Sequence, residues 1–166
     1  MAAEFRHRDF LNRLIDSIDG AGIPRDRVVI EVTVGVFVGR SAPLAGEMIA
    51  ELKQAGFGIS LDDFGTGYAS LTHLREIPFD ALKIDRSFIQ DLFGNSGNDS
   101  AAIVSAVIKL AQGLGKTVVA EGIETDAQAH FLRQHGCSTG QGYLFGRPAP
   151  KAVVDDILFG QARKTA

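Results

Sequence analysis

Seven polar residues, Glu31, Asp62, Asp63, Lys83, Asp85, Glu121 and Gln141, fall in or at the ends of short runs that are otherwise apolar and rich in β-branched side chains. A charge taken out of water is costly unless it meets an opposite charge, a cation or a proton, so several acids in such runs need a shared reason. Carboxylates gathered without His or Cys suit a hard divalent cation, Mg²⁺, Mn²⁺ or Ca²⁺, better than zinc. A lysine beside such a cation stabilises phosphate oxygens or orients a water, as in metal-assisted phosphoester hydrolysis. Each acid alone reads as a helix cap or a surface charge. Their recurrence at successive strand ends points to one site, with Glu31 and Asp62 as its first pair.

The densest stretch is Ile59 to Ser70, Ile-Ser-Leu-Asp-Asp-Phe-Gly-Thr-Gly-Tyr-Ala-Ser. Strand side chains alternate faces, so Asp62 and Asp63 cannot both point into one core, and at least one should look toward a site at the strand end. Gly65 and Gly67 supply backbone freedom for a sharp turn or a close approach to a ligand. Asp63-Phe64-Gly65 and His7-Arg8-Asp9 echo protein-kinase signatures. The kinase catalytic loop, however, needs Asn where Leu14 stands, and no glycine-rich loop precedes it.

The elements that position these residues alternate along the chain. A helical face of Phe10, Leu11, Leu14, Ile15 and Ile18 precedes the strand Val28 to Thr33. Leu44, Met48, Ile49 and Leu52 mark a second helix, with Ser41 as cap and Gly56 as stop. After the Ile59 strand come Ala81 to Asp85, a helical turn or two over Ser87 to Leu92, and a loop from Gly94 to Ser100. A helix through Ile103 and Leu114 leads to the strand Thr117 to Glu121. Thr125 and Gln128 form a capping-box pattern for the next helix, Gly140 to Phe145 is strand-like, and Val153 to Phe159 is a terminal helix. Connections this short make parallel βα units, in which every strand's C-terminal end reaches one rim. Five strand-like stretches in 166 residues fall short of a closed eight-unit barrel, which needs at least about 200 residues. The fold class is α/β, either an open sheet or a barrel without its beginning.

Composition narrows the partners. A hydrophobic content of 45% supports one domain with a core. A net charge of −3 with interspersed signs gives no footprint for a nucleic acid polymer or an anionic membrane. No apolar run approaches a membrane span, and the first residues lack a signal-peptide core. Cys137, the single cysteine, has no disulfide or metal-knuckle partner and reads as an inert thiol in a reducing, cytoplasmic setting. His7, His73, His130 and His135 lie outside the strand ends and read as surface or cap residues.

Glu31-Val32-Thr33, Leu61 to Tyr68, Leu82-Lys83-Ile84-Asp85, Ala120 to Glu124 and Gln141-Gly142-Tyr143-Leu144-Phe145 together resemble the EAL family of bacterial cyclic-di-GMP phosphodiesterases, in family order and near family spacing. The resemblance implies a modified (β/α)₈ TIM-type barrel, here incomplete with its first strands missing. Residues 1–160 would form a single partial EAL domain and 161–166 a C-terminal tail. It implies a metal-bound water attacking one phosphodiester of cyclic-di-GMP to give linear pGpG, with Mg²⁺ or Mn²⁺ as the metal. By motif, Glu31 and Asp62 match metal ligands and Asp63 a second-metal ligand. Lys83 matches the lysine that positions water and phosphate, and Glu121 the general base or metal partner. Gln141 and Glu124 match supporting residues.

Two departures accompany the resemblance. The Glu-Ala-Leu tripeptide that names the family, whose Glu is a metal ligand, is not in the sequence, nor is the Asn ligand that follows it. Val34 stands where the family has a Glu that tethers the loop after Asp63. The expectations are weakened metal binding, impaired or absent turnover by this chain alone, and an open barrel edge covered by a second copy or a partner chain. The alternative is a module that binds cyclic-di-GMP or a protein without turnover.

Overall fold

Five parallel strands lie side by side in chain order in a computed structural model, which describes residues 9–37, 42–65, 74, 77–94 and 96–160. They are β1 (Val29–Thr33), β2 (Gly58–Phe64), β3 (Ala81–Ile84), β4 (Thr117–Ala120) and β5 (Thr139–Gly140). Helix α1 (Asp9–Gly20) precedes the sheet and α2 (Ala42–Gln54) joins β1 to β2. Helices α3 (Arg86–Gln90) and α4 (Gly97–Gly113) join β3 to β4, α5 (Asp126–Gln134) joins β4 to β5, and α6 (Lys151–Gly160) follows. The expected α/β alternation is the observed one. Ser41, Gly67, Tyr68, His7, His73 and the tail at 161–166 lie outside the described residues.

Register explains which face is dry. Val32 pairs with Leu61, Leu61 with Leu82, and Leu82 with Val118, so these four share one face. All four are buried, with Val32, Leu61 and Leu82 fully so. Against them pack Ile49 and Leu52 of α2, Val104, Ile108 and Ala111 of α4, and Leu132 of α5. Each fully buried aliphatic side chain here contributes about 1.5–3 kcal/mol of apolar burial, which sets the register, since a one-residue slip would turn this row to the other face.

Helix α5 opens on the expected capping box: Thr125 Oγ1 accepts from the Gln128 amide, and Gln128 Oε1 accepts from the Thr125 amide at 3.0 Å. The buried Gln128 side chain also donates to the Ile89 carbonyl at 2.9 Å, tying α5 to α3.

Two boundaries differ from expectation. Helix α4 begins at Gly97, inside the expected loop, because the Ser100 amide donates to the Ser96 carbonyl and Ser100 Oγ to Asp91 at 2.8 Å. Asp99 then lies in the first turn, where the helix dipole favours an acid. Strand β5 stops at Gly140, and Gln141 to Phe145 instead wrap the backbone of Ile123, whose amide donates to the Gln141 carbonyl and whose carbonyl accepts from Leu144.

The outer side of β1 has no paired strand among the described residues. Val29 there, and Val153, Val154, Ile157, Leu158 and Phe159 of α6, are exposed apolar residues. No helix of the described residues is long and apolar enough to cross a membrane.

Candidate active site

The second face of the sheet carries the charges. Glu31 pairs with Ser60, Thr33 with Asp62, and Lys83 with Val119, so alternation sets Glu31, Asp62 and Lys83 opposite the apolar row. Between β2 and β3 the ladder slips: Leu61 pairs with Leu82 and Phe64 with Ile84, leaving Asp62 and Asp63 opposite Lys83 alone. This is a β-bulge, a device that re-aims side chains beside sites. Asp63 takes φ 56°, the only positive value at a non-glycine among the described residues, and its amide donates to Asp62 Oδ1 at 3.0 Å. The extra residue returns Phe64 to the buried face, so neither carboxylate enters the apolar core. Gly65 follows at φ 103°, and a Cβ there would sit 2.8 Å from the Phe88 ring, so only glycine passes.

Lys83 is the centre of this face. It is only 5% exposed on the central strand. Its Nζ lies 2.8 Å from Glu31 Oε1, 2.6 Å from Glu121 Oε1 and 3.4 Å from Asp62 Oδ1. The partners come from β1, from β2 and from just beyond β4, far apart in sequence. Burial pulls the ammonium's pKa down, but hydrogen bonds to Glu121 and Glu31 and the charges of Glu121 and Asp62 outweigh it and hold the pKa above its ordinary value. Glu121 also accepts from Gln141 Nε2 at 2.6 Å on the same Oε1. Gln141 is set there by its amide's bond to the Ala120 carbonyl at 2.8 Å. Beside Glu31 on this face, Ser60 Oγ is buried with no hydrogen-bond partner among the described residues.

The remaining expected residues divide. Asp63 is exposed, and partial burial together with the nearby Asp62 and Asp85 charges pushes its carboxyl up, against a smaller opposing pull from Lys83. Asp85 is a cap: its Oδ1 accepts from the Ser87 amide at 2.9 Å and from the Ser87 hydroxyl, opening α3. Glu124 is apart from the Lys83 cluster and accepts from Gln90 Nε2 at 3.2 Å. It lines an open cavity of about 630 Å³ with Arg86, Gln141, Tyr143 and Arg147. The Arg147 guanidinium stacks 4.5 Å from the Tyr143 ring centroid. Sequence reading left Arg86 and Arg147 unassigned; the available signal was their place beside strand-end polar residues.

Among the described residues, no group of three or more His, Cys, Asp or Glu side chains is placed to hold a metal ion. The oxygens are of the right chemical kind for a hard cation, but Glu31, Asp62 and Glu121 are turned onto Lys83 instead. As arranged, these residues do not fit a metal.

The family model described as EAL domain matches residues 1–148. This chain belongs to the EAL family. The EAL chain is 41% identical over 149 residues to the "bifunctional diguanylate cyclase/cyclic di-GMP phosphodiesterase MucR" of Pseudomonas aeruginosa, covering 90% of this chain and 21% of that protein. It therefore spans about a fifth of the length of this curated relative. Among solved structures, the "PaMucR phosphodiesterase, c-di-GMP complex" superposes with a TM-score of 0.86 at 40% identity, over 93% of this chain and 61% of that one. The manganese/cy-diGMP complex of Klebsiella pneumoniae BlrP1 superposes with a TM-score of 0.77 at 35% identity, over 88% and 36% of the two chains. Solved EAL domains are TIM-type barrels, and the five strands form an arc of that fold.

Proposed function

We propose that this EAL chain is part of a cyclic-di-GMP phosphodiesterase, a hydrolase that opens cyclic-di-GMP to linear pGpG, and that these 166 residues alone turn it over poorly. The observation that carries the reading is the convergence of Glu31, Asp62 and Glu121 on the buried Lys83, at the strand-end rim of a chain 41% identical to MucR. Lys83 is the residue that meets the phosphate oxygens, since a buried, pre-oriented ammonium stabilises charge developing there. Glu121 is the general base: both its contacts fall on Oε1, leaving Oε2 to take the proton of the attacking water, while Gln141 fixes the carboxylate. Water adds to phosphorus as one phosphorus–ribose oxygen bond breaks, and the ribose oxygen leaves as a hydroxyl with the proton that Glu121 removed from the water. Arg86, Arg147 and Tyr143, with Glu124 and Gln141, form a cavity whose cations and ring suit a nucleotide's phosphate and base.

Mg²⁺ or Mn²⁺ is the proposed cation; Glu31 and Asp62 would hold it with Asp63 only after leaving Lys83, and with donors outside these residues. A second copy or a partner segment is proposed to cover the β1 edge and the apolar side of α6. A cytoplasmic setting suits the single, buried Cys137 thiol.

A second reading, a module that binds cyclic-di-GMP or a protein without turnover, draws support from the turning of the three carboxylates onto Lys83. Incubating the purified chain with cyclic-di-GMP and Mn²⁺ tests both. Linear product at the level of a Glu31→Ala/Asp62→Ala control is expected; product clearly above it overturns the proposed poor turnover. With no turnover, calorimetric nucleotide binding favours the binding module.

A further inference from the structure

Three carboxylate oxygens, from β1, from β2 and from just beyond β4, close on one point, and that point is the Lys83 ammonium. Glu121, Glu31 and Asp62 approach Nζ to 2.6, 2.8 and 3.4 Å. A Mg²⁺ ion takes such oxygens at about 2.0–2.1 Å, so the ring around Nζ is a cation's ring expanded by something on the order of an ångström. We infer that Lys83 is the resident cation of this cluster and competes with a divalent metal for Glu31 and Asp62. The inference rests on the reading above that these carboxylates face a cation.

The surroundings make Lys83 hard to displace. Its neighbours Leu82 and Ile84 are fully buried on the central strand, so its stem is anchored. Glu31, by contrast, stands on the edge strand with its side chain 52% exposed, and Asp62 is 21% exposed. Glu121 is the least exposed of the three at 17% and is held by Gln141 as well. Two cations a few ångströms apart repel strongly at low dielectric, so an incoming metal has to draw carboxylates off the ammonium before it binds. Glu31 and Asp62 are the ones free to leave, and Glu121 stays with Lys83. The disagreement between the donor chemistry, which suits a metal, and the arrangement, which does not hold one, follows from this competition.

Mn²⁺ titration of the metal-free chain without nucleotide, read by the spin-resonance signal of free Mn²⁺ and by thermal unfolding, tests the inference. Lys83→Met is expected to bind Mn²⁺ about tenfold more tightly than the natural chain, or better, and to gain more in Tm from it. Lys83→Arg, which keeps the charge, is expected to bind as weakly as the natural chain. Adding Asp62→Asn to Lys83→Met should remove the gain. Equal or tighter binding by the natural chain overturns the competition, as does a gain that survives Asp62→Asn. If Lys83→Met does not fold without metal, refolding in Mn²⁺ supports the inference and failure to refold overturns it. Because no nucleotide is present, failure of cyclic-di-GMP turnover would leave this comparison untouched.

Discussion

Two lysines stand at opposite ends of the sheet in very different company. Lys53, at the end of α2, donates to both oxygens of Asp80 at 2.8 Å, in a pair that is partly exposed to solvent. Lys83 is buried and shared by three acids from three parts of the chain. The first is an ordinary surface bridge, worth about 0–1 kcal/mol. The second is not what stability alone would select, because apolar residues of similar volume often fold as well as a buried ion network. What the pair teaches is that a salt bridge signals chemistry when one buried cation draws carboxylates from several strands to a single rim.

The largest expected effect tests that contrast directly. Lys83→Met should cost about 3–5 kcal/mol, since it leaves the carboxylates facing one another without their cation. Urea denaturation reads this as a lower midpoint at unchanged slope. A loss no larger than that of Lys53→Met would erase the distinction. Next comes Gly142→Ala, where the new Cβ would run into the backbone of Ile123. A loss of about 1–3 kcal/mol is expected, with Gln141 shifted off Glu121.

At the other end, Asp80 does more than pair with Lys53. Its Oδ2 accepts from the Ile59 amide at 2.8 Å, and its carbonyl accepts from Thr117. Asp80→Ala should therefore cost about 1–2 kcal/mol, mostly for the Ile59 amide. Partial burial raises the Asp80 carboxyl, but Lys53 and the Ile59 amide outweigh it and hold its pKa below the ordinary 3.8. With the folded pKa depressed, its contribution is present above 3.8 and is lost as pH falls through the lower folded value. Acid unfolding followed by circular dichroism should show a limb below pH 3.8 that weakens in Asp80→Asn. Lys53→Met is expected to be the mildest change, within about 1 kcal/mol. A larger loss would mean that the surface bridge is also structural.

Much of the fold was legible because it is written locally. The β-branched runs that carry Glu31, Asp62 and Glu121 became β1, β2 and β4 or their ends, and Thr125 with Gln128 formed the capping box. What was not legible depends on contacts between distant segments. The Gly140 to Phe145 run looks like a strand, yet only its first residue, Gly140, is paired before it bends around Ile123. Asp85 looks like a rim acid, yet it caps α3, since the nearest unpaired donors are those of its own helix start. The bulge at Asp62 and Asp63 has no sequence signal beyond adjacency, because it exists only as a mismatch of register with β3.

By itself the sequence determined which segments become strands and helices, which face of each is apolar, and which polar residues stand at strand ends, because period and turn chemistry act within a few residues. Only the tertiary structure decided that Lys83 lies at the centre, that Glu31, Asp62 and Glu121 spend their charge on it, and that Glu124 belongs to a neighbouring cavity. The physical reason is that parallel stacking in one register converts distance along the chain into distance across a rim, and the length of the chain does not encode the latter.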